Sequence, residues 1–318
     1  MAKRKRTVKL KNWQALLLVA VLLLSALISW NETLEKPIFP TWDTLYERAE
    51  LTGEDTPLPD STLQIQVIDV GNADSILLRS GDKAMLIDAG EGGDGDTVLQ
   101  HLEDAGVKEL ELLIATHADS DHIGGMKTVI SGIPVRQYIM AFMPEGHTPT
   151  TRTYLKLLQT LYEKNIPVTE ATVGQEFTLG DATVTILGPA GSFEDNNNHS
   201  VVCRVSFGRR RFLFTGDAET EAERALLKSG VDLSADVLKL GHHGSSTSST
   251  DAFLDAVNPT YALITCGEGN SYGHPHRETL TRLRERGVET YRADLNGDIT
   301  LTCDGDAIEI TTERGGES

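Results

Sequence analysis

The chain has 318 residues, a formal net charge of −18 and 39% apolar residues. That length buries a sizeable core as one large domain or two ordinary ones, and 29 glycines point to the many tight turns of a strand-rich fold. Acidity on this scale excludes a broad nucleic-acid-binding surface, because such a body repels polyanions. The cysteines are Cys203, Cys266 and Cys303, an odd number without CxxC spacing. They exclude a disulfide framework and a zinc ribbon, and Cys203 and Cys303 are expected as buried apolar thiols in strands.

Residues 1–12 hold six cations and no acid, a basic tail expected to stay cytoplasmic. Residues 13–30, WQALLLVAVLLLSALISW, carry no charge. Their length just suffices to cross hydrocarbon as a helix, and a tryptophan at each end suits the two interfaces. A cleaved signal peptide shares the basic start, but no A-x-A site and no cysteine for lipid attachment follow the run. A single-pass anchor in the cell membrane is therefore expected, with the rest of the chain extracellular; cleavage would instead leave it secreted. Residues 31–60 are polar, proline-bearing and aperiodic after a short helix over 41–51, and read as a stalk.

From Leu63 onward strands and turns alternate: LQIQVIDV, SILLRS, KAMLIDAG, a helix over 96–105, then the apolar strand ELLIAT. An amphipathic helix over 151–164 precedes strands near 176–178 and 183–187 and a hairpin-like pair, SVVCRVSF and RRRFLFTGD. A helix over 219–229, the strand DVLKL, a helix over 251–257 and the strand YALITC come next. A helix over 275–286 and strands near 289–292, 298–302 and 307–311 close the chain. No repeat or low-complexity tract interrupts this, and stacked sheets flanked by helices are expected as one domain over 61–313.

The string THADSDHIGG, Thr116–Gly125, puts four ligand-capable side chains within six residues directly after an apolar strand. Extended backbone would point His117, Asp119 and Asp121 to one side. His122 joins them only where the chain turns into the helix begun by IGGMKTVI, and that turn divides the ligands into His117 with Asp119 and Asp121 with His122. Two such sets are what a binuclear centre needs, where two cations share a bridging hydroxide and clamp attacking and leaving oxygens. A solvated acidic turn would explain the aspartates, but neither the histidines nor the Gly-Gly that permits close backbone approach.

HxDxDHxGG resembles the metal-binding motif of the metallo-β-lactamase superfamily, in its ComEC-like competence-protein branch. DVGNADSILL, MLIDAG, NNHSVV, FTGD, LKLGHHGSSTS and GNSYGHP match that branch in order, over residues 62 to 312. The resemblance implies an α/β (α+β) fold, the αββα metallo-β-lactamase sandwich, with two divalent metal ions, zinc or manganese, at its edge. It makes His117, Asp119, Asp121 and His122 ligands and Asp217 the carboxylate bridging both ions; Asp121 is also counted as catalytic. Taken alone, Asp217 ends an apolar strand after Gly216, a place for a ligand or for a helix N-cap. Asp88 also ends a strand and is expected to orient the metal loop rather than bind.

Two departures from the superfamily pattern matter. Asp119 stands where histidine is common, and an oxygen ligand shifts preference toward harder ions such as manganese. The downstream histidine falls at Asn196–His199, where Asn198 matches the branch motif, so Asn198 is expected on the substrate side and His199 off the metals. In His242-His243-Gly244 one imidazole would complete the second metal or act as general acid, the other touching substrate; His242 is read as the ligand and His243 as the catalytic group. Ser245, in a serine run before a helix, is expected to bind an anion, and His274 to face substrate.

The metals alone do not choose between phosphorus and acyl carbon. The resemblance implies an extracellular phosphodiesterase or nuclease acting on DNA. Hydrolysis of a small ester, lactone or lactam is the alternative, and a non-catalytic binding domain is a third reading, motivated by the missing histidine. The family's multi-helix channel has no counterpart in these residues, so DNA passage is expected to need a separate channel partner. Oligomeric state is not legible.

Overall fold

The computed structural model describes residues 61–142 and 148–315. The basic tail, apolar segment and stalk expected over 1–60 lie outside them. Among the described residues no helix is long and apolar enough to cross a membrane.

The strands in chain order are β1 (Leu63–Val67), β2 (Ile76–Ser80), β3 (Lys83–Ile87), β4 (Leu112–Ala115), β5 (Tyr138–Met140), β6 (Val168–Glu170), β7 (Glu176–Leu179), β8 (Ala182–Gly188), β9 (Val202–Phe207), β10 (Arg210–Phe214), β11 (Val237–Lys239), β12 (Tyr261–Ile264), β13 (Glu289–Arg292), β14 (Ile299–Cys303) and β15 (Ile308–Thr312). The helices are α1 (Gly95–Asp104), α2 (Ser120–Ile123), α3 (Met126–Gly132), α4 (Arg152–Glu163), α5 (Thr220–Ser229), α6 (Asp251–Val257), α7 (Arg277–Glu285) and α8 (Ala293–Asn296). Single 3-10 turns cover Asn197–His199 and Gly241–Gly244. One sheet runs β15-β14-β1-β2-β3-β4-β5-β6 and the other β13-β12-β11-β10-β9-β8-β7.

The period-2 alternation of strands sorts the apolar residues into three cores. Ile65, Val67, Ile76, Leu78, Val205, Phe207, Phe212 and Phe214 meet between the sheets, with Cys203 and Cys303 among them as free thiols. Leu77, Leu86 and Leu113 point the other way, onto Val98 and Leu102 of α1, Met126 and Val129 of α3 and Leu157 of α4. Leu213, Leu238, Ala262 and Ile264 face Leu226 of α5, Phe253 of α6 and Leu283 of α7. The layers are therefore helix, sheet, sheet, helix, as the resemblance implied.

Strand direction decides where function can sit. β3, β4, β5 and β6 are mutually parallel, as are β10, β11, β12 and β13. In such sheets ligands bind beyond the carboxyl ends of the strands. Asp88 follows β3, His117 follows β4, Asp217 follows β10, His242 and His243 follow β11, and Thr265 follows β12. β2 and β9 run antiparallel to β3 and β10, which brings their entry residues Asp74 and Ser200 to the same edge.

The strands β5 and β6 were not legible, because three residues carry too little alternation. The motif turns into helix at Ser120, just before its second ligand pair. Gly124 and Gly125 allow this: a Cβ on Gly124 would lie 2.4 Å from Gly92 N, and one on Gly125 would lie 2.1 Å from Ala89 O. Both neighbours are backbone and cannot swing aside. Gly125→Ala is expected to cost about 1–3 kcal/mol through overpacking, measured as a lowered urea midpoint at unchanged m-value; a midpoint equal to wild type would contradict this packing.

Candidate metal centre

Asp88 is the anchor of the site. It is fully buried, with φ +57°, and its Oδ1 accepts from Thr116 N–H at 2.9 Å. Its Oδ2 accepts from the Thr116 hydroxyl at 2.6 Å and from His122 Nδ1 at 2.7 Å. The aspartate thus ties the ends of β3 and β4 and orients an imidazole, the orienting role expected of it.

The same arrangement repeats around the site. His117 Nδ1 lies 3.2 Å from Thr116 Oγ1 and 3.4 Å from Ser200 Oγ. Since the Thr116 proton goes to Asp88, its oxygen accepts from His117. His243 Nδ1 donates to the Thr265 carbonyl at 2.7 Å, and His242 Nδ1 donates to Glu219 Oε1 at 2.7 Å. Each of the four imidazoles therefore has its Nδ1 proton held by a protein acceptor and, in the neutral ring, a lone pair at Nε2.

Those lone pairs converge. Asp121, His122, Asp217 and His243 each offer an atom within 4.8 Å of the others. His122 Nε2 is 3.4 Å from Asp217 Oδ1, and His243 Nε2 is 3.5 Å from Asp217 Oδ2 and 3.4 Å from Asp121 Oδ2. The buried atoms His117 Nε2, His122 Nε2, His243 Nε2 and Asp217 Oδ1 have no hydrogen-bond partner. Four such buried atoms together are costly unless protons or a metal cation meet them. Mixed imidazole and carboxylate donors are those of divalent transition metals, so the residues fit such ions.

His117 stands beside this cluster, its ring centroid 4.1 Å from that of His122. Asp119 is less committed: its Oδ2 is 3.8 Å from His117 Nε2, its side chain is 43% exposed, and its Oδ1 accepts from Asn196 Nδ2 at 3.0 Å. The pair forms the thinner half of the ligand set.

The two adjacent histidines are placed differently from each other. His243, expected in catalysis, is buried in the four-donor cluster. His242, expected as a ligand, is half-buried with its Nε2 3.9 Å from Asp217 Oδ2 and faces the cleft. The cause is backbone: both residues have positive φ, 48° and 52°, so strand alternation does not predict where each points. Asn198, expected to bind substrate, is not among the residues that line the cleft. It is buried, its Oδ1 accepts from Glu219 N and Ala222 N at the start of α5, and its Nδ2 donates to Asp195. Ser245 is buried too, its hydroxyl bonded to Thr247. His199 has both nitrogens engaged, Nδ1 on the Asp195 carbonyl and Nε2 accepting from Phe193 N–H.

A layer under the ligands escaped the sequence reading. Lys239 is fully buried; its ammonium donates to Asp74 Oδ2 and to the Gly216 carbonyl, 3.8 Å from Asp217 Oδ1. Asp74 also accepts from the Thr265 hydroxyl and lies 3.4 Å from His243 Nδ1. A lysine inside the apolar strand VLKL was the available signal, since lysine is buried only when paired.

The electrostatics follow from this crowding. Burial raises the Asp217 carboxyl, but His243 and His122 outweigh it and hold the group well below its ordinary range. Burial lowers His122, and Asp217 with Asp88 more than reverse that, keeping it well above its usual value. His243 is likewise lowered by burial but pushed up to about 9 by Asp217, Asp121 and Asp74. His117, where burial dominates, is lowered, and His274, buried beside other imidazoles, is lowered to about 4.

A cleft of about 640 Å³ opens over the cluster, lined by Asn72, Asp119, Asp121, Asn197, Asp217, His242, His243, Tyr272 and His274 among others. No lysine or arginine is among the described residues that line it. The metal-free site carries protons on His122 and His243 that a metal must displace. Because both imidazoles are raised, metal affinity should rise between pH 6 and 8, about tenfold per pH unit for each proton released. Calorimetry in buffers of differing ionisation enthalpy measures this; pH-independent affinity without proton release would refute it.

A family model described as the metallo-beta-lactamase superfamily matches residues 68–268. ComE operon protein 3 of Bacillus subtilis is 30% identical over 262 residues, 76% of this chain and 33% of that protein. Competence protein ComA of Neisseria gonorrhoeae is 34% identical over 262 residues, 81% of this chain and 34% of that protein. The chain thus spans about a third of the length of these curated relatives. Among solved structures, the metallo-beta-lactamase fold protein YhfI of Bacillus subtilis aligns with TM-score 0.47 at 15% identity, over 72% of this chain and 95% of that one. With its helix–sheet–sheet–helix layers and its edge cluster of imidazoles and carboxylates, this chain belongs to the metallo-beta-lactamase superfamily and is similar, over about a third of their length, to these competence proteins.

Proposed function

We propose that the chain is a metal-dependent phosphodiesterase acting on DNA outside the cytoplasm, anchored by residues 13–30, with DNA passing through a separate channel partner. The observation that carries the reading is the set of buried, unpartnered donors His117 Nε2, His122 Nε2, His243 Nε2 and Asp217 Oδ1 beneath an open cleft. The competence-protein relatives direct it toward DNA. Divalent ions held there, manganese or zinc, would supply the Lewis acidity and lowered water pKa that attack on phosphorus needs.

The protein's own residues divide the remaining work. Asp121, His122, Asp217 and His243 would hold one ion, and His117 with Asp119 a second, more weakly, with Asp217 shared. Asp88, Thr265 and Glu219 fix the imidazoles so that little reorganisation is left for the reaction. His242 and His274 face the cleft beside the reacting group, where an imidazole hydrogen-bonds a phosphoryl oxygen or a leaving group. Without cations in the described lining, contact with the phosphate backbone would pass mainly through the metals. Affinity should then depend only shallowly on salt.

That cation-free lining also favours a second reading, hydrolysis of a small ester, lactone or lactam, whose substrate needs no polyanion track. Turnover of bis-p-nitrophenyl phosphate against nitrocefin, with manganese or zinc, separates the two. The phosphodiesterase reading expects cleavage of the phosphodiester and of DNA, and loss of at least 100-fold in rate for Asp217→Asn, on the order of one lost electrostatic contact at a reacting centre. No cleavage of either with metal bound, or an unimpaired Asp217→Asn variant, would sink it.

A further inference from the structure

The rim of the cleft carries a column of rings. The Tyr272 ring lies 5.7 Å from that of His274 at an interplanar angle of 21°. His274 in turn lies 6.2 Å from the His243 ring at 29°. His243 belongs to the four-donor cluster, so near-parallel rings lead from the mouth of the cleft to the metal centre.

The column is held in place from below. Asn270 Oδ1 accepts from His274 N–H at 3.0 Å, and its Nδ2 donates to the carbonyls of Gly267 and His274 at 2.9 and 2.6 Å. His276 Nδ1 accepts from Ser246 N–H at 2.9 Å, and the His276 ring meets His274 edge-on at 4.8 Å. The loop thus has fixed geometry, yet Tyr272 itself is 69% exposed. A large aromatic left that open while lining the cleft has one face on His274 and the other available.

What would extend the column is chosen by the rest of the cleft. Beside the histidines its polar lining groups are carboxylates, amides and hydroxyls, and no described lining residue is a lysine or arginine. A phosphodiester substrate therefore gains little from ion pairing outside the metals, and its remaining affinity must come from its planar parts. Stacking suits this, because every nucleobase has a π-face.

We propose that Tyr272 is a stacking platform that receives the nucleobase adjoining the scissile phosphodiester, making single-stranded or unpaired nucleic acid the preferred substrate class. The inference rests on the phosphodiesterase reading for its substrate. An unpaired base is required because a base stacked within a duplex does not offer a free face. The phenol hydroxyl has no part in this, so the ring alone should suffice.

The test uses the whole chain loaded with manganese, as wild type, Tyr272→Phe and Tyr272→Ala. Binding is read with a phosphorothioate-linked single strand carrying one 2-aminopurine, whose fluorescence falls on stacking. Cleavage is read with an ordinary strand and with one carrying an abasic position beside the cleaved link. Wild type and Tyr272→Phe should quench the probe, and Tyr272→Ala should not. KM on the ordinary strand should rise about tenfold in Tyr272→Ala. The abasic position should raise KM similarly in wild type and add little in Tyr272→Ala, the non-additivity of groups in contact. Equal quenching and equal KM in Tyr272→Ala would overturn the platform. Quenching that depends on Tyr272 without cleavage would keep the platform and reject the phosphodiesterase; cleavage indifferent to Tyr272 would do the reverse.

Discussion

Three carboxylates, Asp74, Asp88 and Asp217, are buried side by side at one edge of the sandwich, and the surrounding structure is arranged to make that tolerable. An isolated buried carboxylate costs several kcal/mol even after relaxation. Asp74 is met by the Lys239 ammonium and the Thr265 hydroxyl. Asp88 is met by Thr116 and His122. Asp217 has Ser200 on its backbone amide, but its Oδ1 accepts no hydrogen bond. Lys239 lies 3.8 Å away from it, already committed to Asp74. The third carboxylate is thus where a further cation belongs, and the imidazole lone pairs of His122 and His243 face the same point.

Holding those lone pairs in place uses both sheets. The parallel halves bring the ends of β3, β4, β10, β11 and β12 to one edge, so residues remote in sequence meet without long loops. Local strain completes the arrangement. Asp88, His242 and His243 all adopt positive φ, a conformation costing on the order of 1–3 kcal/mol for a non-glycine residue and found where surrounding structure over-determines it. At His242 and His243 the strain has a readable result: one imidazole enters the ligand cluster and its neighbour faces the cleft with Glu219 behind it.

Stacked sheets flanked by helices, and most elements, were legible because alternation and turn residues report them directly; the αββα order came from the resemblance. The turn within HADSDH was legible because its geometry is local: a strand end, a turn and a helix start within a few residues. Asp217 was visible from its place after an apolar strand, and Asp88 from the same logic. Which of His242 and His243 enters the donor cluster was not, since a left-handed backbone cancels the alternation on which side-chain direction is inferred. The surroundings of Asn198 escaped for another reason: a motif match says nothing of whether the amide faces the cleft or the start of α5. Asp74 and Lys239 are 165 residues apart, and only the lysine within VLKL hinted that a buried partner existed. The anchor over residues 13–30 stands on its sequence alone.

The central claim is that Asp121, His122, Asp217 and His243 form the principal metal position, with His242 outside it. Metal content and affinity of His243→Ala and His242→Ala, measured by elemental analysis and chelator competition, test this most directly. Truncating His243 should remove the tightly held ion, whereas truncating His242 should leave it bound within about threefold of wild-type affinity, under 1 kcal/mol. Loss of the ion from His242→Ala with retention in His243→Ala would contradict the account.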